Sequence, residues 1–250
     1  MDILELIKAK PILIVGPCAI ESEESIFKLS SILASMGIKF LRGGAFKPRT
    51  SPDSFQGLGS EGLAYMRKAA DFNKMFVVTE VLNSEQLDKH YDSIDIIQIG
   101  SRNMTSFGFL NYVGKKTSLD KKPVLLKRGM SSTINEFLNA AKYITQYGNK
   151  NIILCLRGIR TFEQIDSEFR NTPDLASILE LKSKTSFPVI FDPSHSTGDS
   201  KYVVDISKAA LNLGADGLII ECHDDPKRAM VDGKQSICPS DLAKLIKSIK

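Results

Sequence analysis

The sequence predicts a single-domain α/β protein, a (β/α)8 (TIM) barrel that takes up residues 1–250. Three observations predict it: eight short apolar runs, amphipathic stretches of helical period between them, and a length of 250 residues. No Gly/Ser-rich linker or block of like charge divides the chain. Nearly continuous apolar strands that alternate with helices are typical of a parallel sheet buried on both faces. A doubly wound open sheet is the alternative, because a sequence pattern does not reveal whether a sheet closes.

The predicted strands are the eight apolar runs, taken in chain order. They lie at 12–15, 38–41, 75–79, 94–99, 124–126, 152–156, 189–191 and 218–220. Right-handed crossovers over eight such units close naturally into a barrel of about 250 residues.

The predicted helices lie between these runs and carry recognisable end signals. Apolar stripes recur at helical spacing, at 26, 29, 32 and 33 and again at 137, 138, 141 and 144. Thr133 and Glu136 have the spacing of a capping box, and Asn83 with Gln86 forms a weaker one. Glycines at 37, 148 and 214 each stand before a strand, where a left-handed residue ends a helix.

The composition excludes several classes of protein. The chain has 33 Lys+Arg against 29 Asp+Glu, and an excess of four is too mild for a nucleic acid or an anionic membrane surface. No apolar run reaches the roughly 20 residues that cross a bilayer, and the N-terminus is too short and acidic for a signal peptide. Four cysteines without a CxxC pair point to a reducing cytoplasm.

Chemically active side chains concentrate where the predicted strands end. In a barrel of this kind the catalytic groups lie at the C-terminal strand ends and in the loops that follow. Those positions carry Cys18, Arg42, Lys47, Arg49, Glu80, Ser101, Arg102, Lys127, Arg157, His195, Glu221 and His223, whereas the opposite ends carry ordinary turn residues. We therefore expect the active site at this face.

Four of these residues form a candidate metal set: Cys18, His195, Glu221 and Asp232. Strands one, seven and eight adjoin when the barrel closes, so the first three can meet, and Asp232 would come from the loop after strand eight. One thiolate, one imidazole and two carboxylates suit Mn²⁺, which we expect first, or Fe²⁺, Co²⁺ or Zn²⁺. A buried structural cysteine, a capping histidine and two solvated acids are the alternative. His90 ends a helix and is given no catalytic role, and His223 is either a supporting or a surface residue.

A basic set surrounds the same face and predicts anionic ligands. It consists of Arg42, Lys47, Arg49, Arg102, Lys127 and Arg157. So many cations around one mouth repel each other unless anions lie between them, and arginine's planar fork suits phosphate and carboxylate. A solvated rim is the competing explanation, most readily for Arg128. Lys127 also admits a Schiff-base role, as in a class I aldolase.

Six motifs in order resemble 3-deoxy-D-arabino-heptulosonate 7-phosphate (DAHP) synthases, and most closely their short type I form. The motifs are GPCAIES at 16–22, RGGAFKPRTSP at 42–52, IGSR at 99–102, LKRGM at 126–130, CLRGIRT at 155–161 and DPSHS at 192–196. The resemblance implies the barrel, and condensation of phosphoenolpyruvate with erythrose 4-phosphate, the entry to the shikimate pathway and aromatic amino acids. The related 3-deoxy-D-manno-octulosonate 8-phosphate synthases use arabinose 5-phosphate. The form KPRT at 47–50 is similar to the erythrose-4-phosphate enzymes.

The resemblance also implies roles for individual residues. It implies that the metal ligands are Cys18, His195, Glu221 and Asp232, which with Lys47 form the catalytic group. It implies that phosphoenolpyruvate is bound by Arg42, Lys47, Ser101, Arg102, Lys127 and Arg157, and erythrose 4-phosphate by Lys47, Pro48, Arg49 and Thr50. Protons would be carried either by Glu80 or by a water bound to the metal.

Two departures and the partners complete the expectations. Leu156 stands where close relatives usually have glutamate, and the segment 197–200 replaces a more basic stretch. Many relatives carry a regulatory or chorismate mutase domain, and we expect neither within these residues, which leaves a separate chorismate mutase as a candidate partner. Family analogy implies a homotetramer, with a dimer next. A catalytically silent barrel that binds a phosphorylated metabolite and regulates a partner is the rival from another class.

Overall fold

Eight parallel strands close into a barrel in the computed structural model, which describes residues 2–47, 53–162 and 170–249. Each strand pairs with the next along the chain, and β8 returns to pair with β1, with Gly16 opposite Glu221. The strands are β1 (Ile12–Gly16), β2 (Phe40–Arg42), β3 (Phe76–Glu80), β4 (Ile96–Ile99), β5 (Val124–Lys127), β6 (Ile152–Leu156), β7 (Val189–Phe191) and β8 (Gly217–Glu221). The predicted barrel is confirmed, and the alternative of an open sheet is wrong.

All eight predicted strands are present, but several of their ends lie elsewhere. The run 94–99 becomes strand only at Ile96, because the amide of Ile94 bonds to the carbonyl of Tyr91 and closes a turn. At the other end, the sheet continues through Arg42, Glu80, Lys127 and Glu221, which the prediction had placed just beyond their strands. These polar side chains are therefore carried on hydrogen-bonded backbone rather than on loops.

The helices of the described residues surround the barrel. They are α1 (Ile3–Lys8), α2 (Glu23–Ser35), α3 (Gly59–Phe72), α4 (Ser84–His90), α5 (Phe107–Lys116), α6 (Ile134–Thr145), α7 (Ala176–Lys184), α8 (Pro193–Thr197), α9 (Val203–Asn212) and α10 (Pro239–Ser248). In the described ranges, no helix is both long enough and apolar enough to span a membrane.

The predicted helix ends agree with the structure at most positions. Thr133 and Glu136 form both bonds of the capping box, an arrangement that stabilises a helix by about 1 kcal/mol. Asn83 accepts from the amide of Gln86, but the Gln86 side chain bonds the amide of Leu82, so the second box is only half formed. Glycines 37, 148 and 214 have φ values of +87°, +84° and +91°, as the left-handed end position requires.

Two apolar layers hold the barrel together, because side chains alternate along each strand. The inner layer fills the barrel, with Ile14, Val78, Leu125 and Ile219 among its members, and Ile7 of α1 closes its lower end. The outer layer joins the strands to the helices. Each fully buried side chain of this size contributes about 1.5–3 kcal/mol. This packed scaffold fixes the strand ends at which the polar residues stand.

Candidate active site

The four candidate metal ligands converge at the C-terminal end of the barrel. One potential ligand atom from each of Cys18, His195, Glu221 and Asp232 lies within 4.8 Å of those of the other three. Cys18 follows β1, His195 lies in the short helix α8 after β7, and Glu221 is the last residue of β8. Asp232 reaches the cluster from the loop after β8. The sequence prediction that these four residues meet is therefore confirmed.

Glu221 is fully buried and presents one oxygen without a hydrogen bond. Its Oε2 accepts from the side-chain amide of Gln235. Its Oε1 lies 3.2 Å from Nη2 of Arg42 and 3.3 Å from Nε2 of His195. Neither approach has hydrogen-bond geometry, so Oε1 has no hydrogen-bond partner within the part of the chain that the structure describes. A buried carboxylate oxygen in this state indicates a site for a cation.

His195 is held in one orientation by Asp192. The Nδ1 atom of His195 lies 2.8 Å from Oδ2 of Asp192, whose Oδ1 accepts from the His195 amide at 2.9 Å. Burial raises the pKa of Asp192, but the neighbouring His195 and Lys127 outweigh it and hold this pKa well below its ordinary range. Asp192 is therefore a carboxylate, and the ring proton belongs on Nδ1.

The opposite ring nitrogen then carries a lone pair that faces Glu221. Burial lowers the pKa of His195, which favours the neutral ring. Nε2 of His195 and Oε1 of Glu221 are then two acceptors only 3.3 Å apart. Two lone pairs repel at this distance unless a positive centre lies between them, and a divalent cation supplies one. The residues present fit a metal with nitrogen, oxygen and sulfur ligands.

Cys18 and Asp232 form the other half of the cluster. The Cys18 thiol donates to Oδ2 of Asp232 at 3.2 Å, and Nζ of Lys47 lies 2.9 Å from the same sulfur. Burial, followed by the charge of Glu221, raises the pKa of Cys18 well above its ordinary value. Burial also raises the pKa of Asp232, but Arg170 outweighs it and lowers that pKa overall. Metal binding at Cys18 would displace the thiol proton, as cysteine ligation generally does.

A polar cavity lies beside this cluster and collects the basic set. It is lined by Arg42, Lys47, Glu80, Gln98, Gly100, Ser101, Arg102, Lys127, Met130, Arg157 and His195. Nε and Nη1 of Arg42 and Nη1 of Arg157 are buried and have no hydrogen-bond partner within the described ranges. Burial lowers the pKa of Arg157 to about 10, which still leaves it charged at neutral pH. Buried guanidinium groups with free donors indicate an anion-binding cavity.

Glu80 occupies one wall of this cavity because residue 100 is glycine. The Glu80 carboxylate accepts from the Gln98 side chain at 3.2 Å. A Cβ atom at position 100 would lie 2.0 Å from Oε1 of Glu80, so any larger residue would displace the carboxylate. Glu80 thus remains a candidate for carrying protons at the cavity.

The remaining basic residues differ in their surroundings. Lys127 is buried and its Nζ lies 2.5 Å from Oδ2 of Asp192. This contact holds the Lys127 side chain against a buried carboxylate, which disfavours the Schiff-base alternative. Arg102 is exposed at the mouth of the cavity. Pro48, Arg49 and Thr50 lie outside the described residues.

The structure shows the surroundings of three further residues: Arg128, His223 and Leu156. Arg128 is not on a solvated rim: it is 5% exposed and bonds Asp174 at 2.8 Å. Its charge is therefore used to join the end of β5 to the segment before α7. His223 is buried rather than on the surface, and it pairs with Glu21. Leu156 packs in the outer apolar layer, where a glutamate would need a polar partner.

Three residues that support the candidate ligands received no role from the sequence. Asp192 stood in a quoted motif, and its position three residues before His195 was a usable helix-cap signal. Gln235 links Glu221 to Arg170, whose Nη1 lies 2.7 Å from Oε1 of Gln235 and 3.2 Å from Oδ2 of Asp232. Neither Arg170 nor Gln235 follows a strand directly, so their contacts depend on how two loops fold back over the barrel.

The fold and the site define a class: a (β/α)8 barrel with a candidate metal centre beside a cavity lined by arginine and lysine at its C-terminal end. The chain belongs to the DAHP synthetase I family, whose model matches residues 7–250.

The comparisons with individual proteins agree with this assignment. The chain is 47% identical to phospho-2-dehydro-3-deoxyheptonate aldolase of Thermotoga maritima over 95% of its own length and 68% of that protein. It is 30% identical to 2-dehydro-3-deoxyphosphooctonate aldolase of Geobacter sulfurreducens, over 96% of this chain and 91% of that one. The crystal structure of the Thermotoga maritima enzyme superimposes with a TM-score of 0.89 at 46% identity, covering 95% of this chain and 67% of that one. A truncated form of that enzyme superimposes with a TM-score of 0.84 at 42% identity, covering 95% of this chain and 84% of that one.

Proposed function

We propose that this protein condenses phosphoenolpyruvate with D-erythrose 4-phosphate and water to give DAHP and phosphate. This reaction is the first step of the shikimate pathway to chorismate and the aromatic amino acids. The observation that carries the proposal is the contact between two sites, a four-residue candidate metal cluster and a cavity with unpartnered arginine donors. His195 belongs to both, and the cavity residues Arg42 and Lys47 contact Glu221 and Cys18 of the cluster. A carbonyl acceptor and an anionic donor can meet at that boundary.

The choice of acceptor rests on the relatives and on the loop after β2. The DAHP synthase relative is 47% identical, whereas the octulosonate relative is 30% identical. The sequence KPRT at 47–50 has the form of the erythrose-4-phosphate enzymes. We therefore propose the four-carbon sugar phosphate as the acceptor and the five-carbon sugar phosphate as the alternative that an assay must exclude.

Cys18, His195, Glu221 and Asp232 would hold a divalent cation, with Mn²⁺ expected first and Fe²⁺, Co²⁺ or Zn²⁺ as alternatives. When bound, the cation supplies Lewis acidity, which polarises the aldehyde carbonyl of the acceptor. Asp192 keeps the proton on Nδ1 of His195, so that Nε2 remains a ligand atom. Gln235 keeps Oε2 of Glu221 occupied, so that Oε1 is presented to the cluster.

The cavity residues would bind and orient phosphoenolpyruvate. Arg42, Lys47, Ser101, Arg102, Lys127 and Arg157 surround the space in which its carboxylate and phosphate would lie. Because their charges offset the repulsion between two anionic substrates, C3 of phosphoenolpyruvate can approach the aldehyde carbon. Water then adds at C2, and phosphate leaves by cleavage of the C–O bond. Glu80 would accept or donate protons at the cavity wall.

The erythrose 4-phosphate group would be bound by Lys47, Pro48, Arg49 and Thr50. Lys47 lies 2.9 Å from the sulfur of Cys18, which places the start of this loop against the metal cluster. An acceptor bound by this loop would therefore lie beside the cluster.

The setting of the protein follows from the same proposal. A cysteine ligand requires a reduced thiol, so we propose a cytoplasmic location. We propose that residues 1–250 act as one catalytic barrel and that it assembles as a homotetramer, with a dimer as the alternative. A separate chorismate mutase remains a candidate partner.

Phosphate release from phosphoenolpyruvate tests the proposal. We expect phosphate release with erythrose 4-phosphate and little release with arabinose 5-phosphate. After treatment with a chelator we expect no release with either sugar phosphate. Preference for the five-carbon sugar would make the protein an octulosonate-phosphate synthase. Binding of phosphoenolpyruvate without phosphate release under every metal would favour the silent barrel. Turnover that survives chelation, with an imine trapped by borohydride, would favour the Schiff-base route.

A further inference from the structure

The loop that carries Asp232 leaves the barrel and returns to the point where it began. The amide of His223 bonds to the carbonyl of Ile237, and the amide of Ile237 bonds to the carbonyl of Glu221, each at 3.0 Å. These two bonds close the base of the loop 224–236 at the end of β8. These two bonds do not hold the middle of the loop, which contains Asp232, against the cluster.

Glu21 contacts both the base and the middle of this loop. Its Oε1 accepts from the amide of Met230 at 2.7 Å, and its Oε2 lies 3.4 Å from Nε2 of His223. Nδ1 of His223 accepts from the amide of Asp225 at 3.0 Å, so Nε2 is the ring nitrogen that can donate to Glu21. Glu21 thus uses both carboxylate oxygens on the loop.

Between the Glu21 contact and Asp232 the chain is tightly seated. Val231 is 4% exposed and packs with Cys18, Ala19 and Phe55. Asp232 itself has φ = +54°, a left-handed conformation that L residues avoid unless their surroundings impose it. The residue on each side of Val231 is therefore fixed: Met230 by Glu21, and Asp232 by Cys18 and Arg170.

From this geometry we propose that Glu21 is a positioning residue, which clamps the loop after β8 onto the segment after β1 and so keeps Asp232 within reach of Cys18. Cys18 and Glu21 are three residues apart on one segment, whereas Met230 and Asp232 are two residues apart on the other. The clamp therefore fixes the distance between two ligands that come from opposite ends of the chain. Its effect on metal binding rests on the proposed function, but its effect on the loop does not.

Glu24 offers a matched control three residues further on. It is exposed in the first turn of α2, whereas the side chain of Glu21 is 14% exposed. Both residues are glutamates at the same helix start, so E24A removes the same charge from the same region without touching Met230 or His223.

Limited trypsin digestion of the metal-free protein tests the clamp directly, because Lys227, Arg228 and Lys234 provide cleavage sites within the loop. Loss of hydrogen bonds to a carboxylate should raise the cutting rate between 224 and 236 by about 10- to 100-fold in E21A. E21Q retains an oxygen for the Met230 amide and should fall between E21A and the wild type, which keeps the test usable if E21A does not fold. If the loop in E21A is cut no faster than the loop in E24A and in the wild type, the proposal is overturned. If E21A does not fold, the same comparison is made with E21Q.

Titration with Co²⁺, followed by the thiolate-to-metal absorption band, tests the consequence for the cluster. E21A should bind Co²⁺ about 10- to 100-fold more weakly than E24A, the range known for residues that support metal ligands. Unchanged affinity in E21A would overturn that consequence. Absence of Co²⁺ binding in the wild type would instead count against the proposed metal centre, and the trypsin result would then decide the clamp alone.

Discussion

Nδ1 of His195 lies 2.8 Å from Oδ2 of Asp192, and the same ring places Nε2 3.3 Å from Oε1 of Glu221. The first contact determines which nitrogen carries the proton, and the second places the free nitrogen against a buried carboxylate. Asp192 also contacts Lys127 at 2.5 Å, so one carboxylate joins the candidate metal cluster to the cavity lined by basic residues.

Replacement of Asp192 by asparagine should weaken metal binding, because an amide accepts from Nδ1 less strongly and can impose the other tautomer. We expect the apparent affinity for Co²⁺ to fall about 10- to 100-fold, measured by titration of the metal-free protein. The exposed Asp205 provides the control variant D205N. Equal affinity in D192N and D205N would contradict the role given to Asp192.

Replacement of Cys18 by serine should remove the thiolate-to-metal absorption band and most of the turnover. If the cation supplies about 4 kcal/mol, its loss corresponds to about a thousandfold in rate. The half-buried Cys238 provides the control variant C238S, since it is a free cysteine outside the cluster. A Co²⁺ absorption band that persists in C18S, or that is lost in C238S, would contradict the assignment of the ligand.

Arg157 and Arg49 are assigned to different substrates, so their replacement should raise the KM for different substrates. Arg157→Ala should raise the KM for phosphoenolpyruvate about 10- to 100-fold, because it removes charged hydrogen bonds in a buried cavity. Arg49→Ala should mainly raise the KM for erythrose 4-phosphate. Steady-state kinetics with each substrate varied in turn measures both effects, and the exposed Arg160 serves as the control. The same selective defect in both variants would refute the division of roles.

Asp216, below the barrel, predicts how stability depends on pH. Burial raises the pKa of Asp216, but ion pairs with Lys10 and Lys182 and the amide of Val189 outweigh it, so this pKa lies below its ordinary value of 3.8. The carboxylate therefore stabilises the fold above pH 3.8, and this stabilisation is lost as the pH falls through the lowered pKa.

The variant D216N should show a smaller loss of unfolding free energy between about pH 4 and pH 2 than the wild type. At pH 7 it should be less stable by about 1–3 kcal/mol, because Lys182 and the Val189 amide lose a charged acceptor. Urea unfolding at a series of pH values measures both effects, with D205N as a control for the loss of one exposed charge. An unchanged pH dependence would show that the ion pairs of Asp216 add nothing.

The closed barrel and the four-ligand cluster were predictable because both follow from the position of a residue relative to a strand. Cys18, His195 and Glu221 stand at the ends of strands that adjoin only in a closed sheet, so predicting closure also predicted their meeting. Asp232 was included as an acidic residue in the loop after strand eight, and the family resemblance implied the same role. Its left-handed conformation depends on contacts that no local pattern encodes.

The supporting contacts were not predictable in the same way. Arg170 and Gln235 meet only because the loops after β6 and β8 fold over the same face, and Arg128 is buried only because Asp174 lies beside it. Charged residues in loops look alike in a sequence whether they face solvent or a buried partner. Strand ends were uncertain by one or two residues, since an apolar residue that follows a turn, such as Ile94 after Tyr91–Ser93, also suits a strand.

The central claim is tested most directly by stripping the protein of metal and measuring phosphate release from phosphoenolpyruvate and erythrose 4-phosphate while Mn²⁺ is added back. The account predicts no turnover in the stripped protein, and activity that rises in proportion to the bound metal until each chain holds one ion. Full turnover in protein that contains no metal would contradict it.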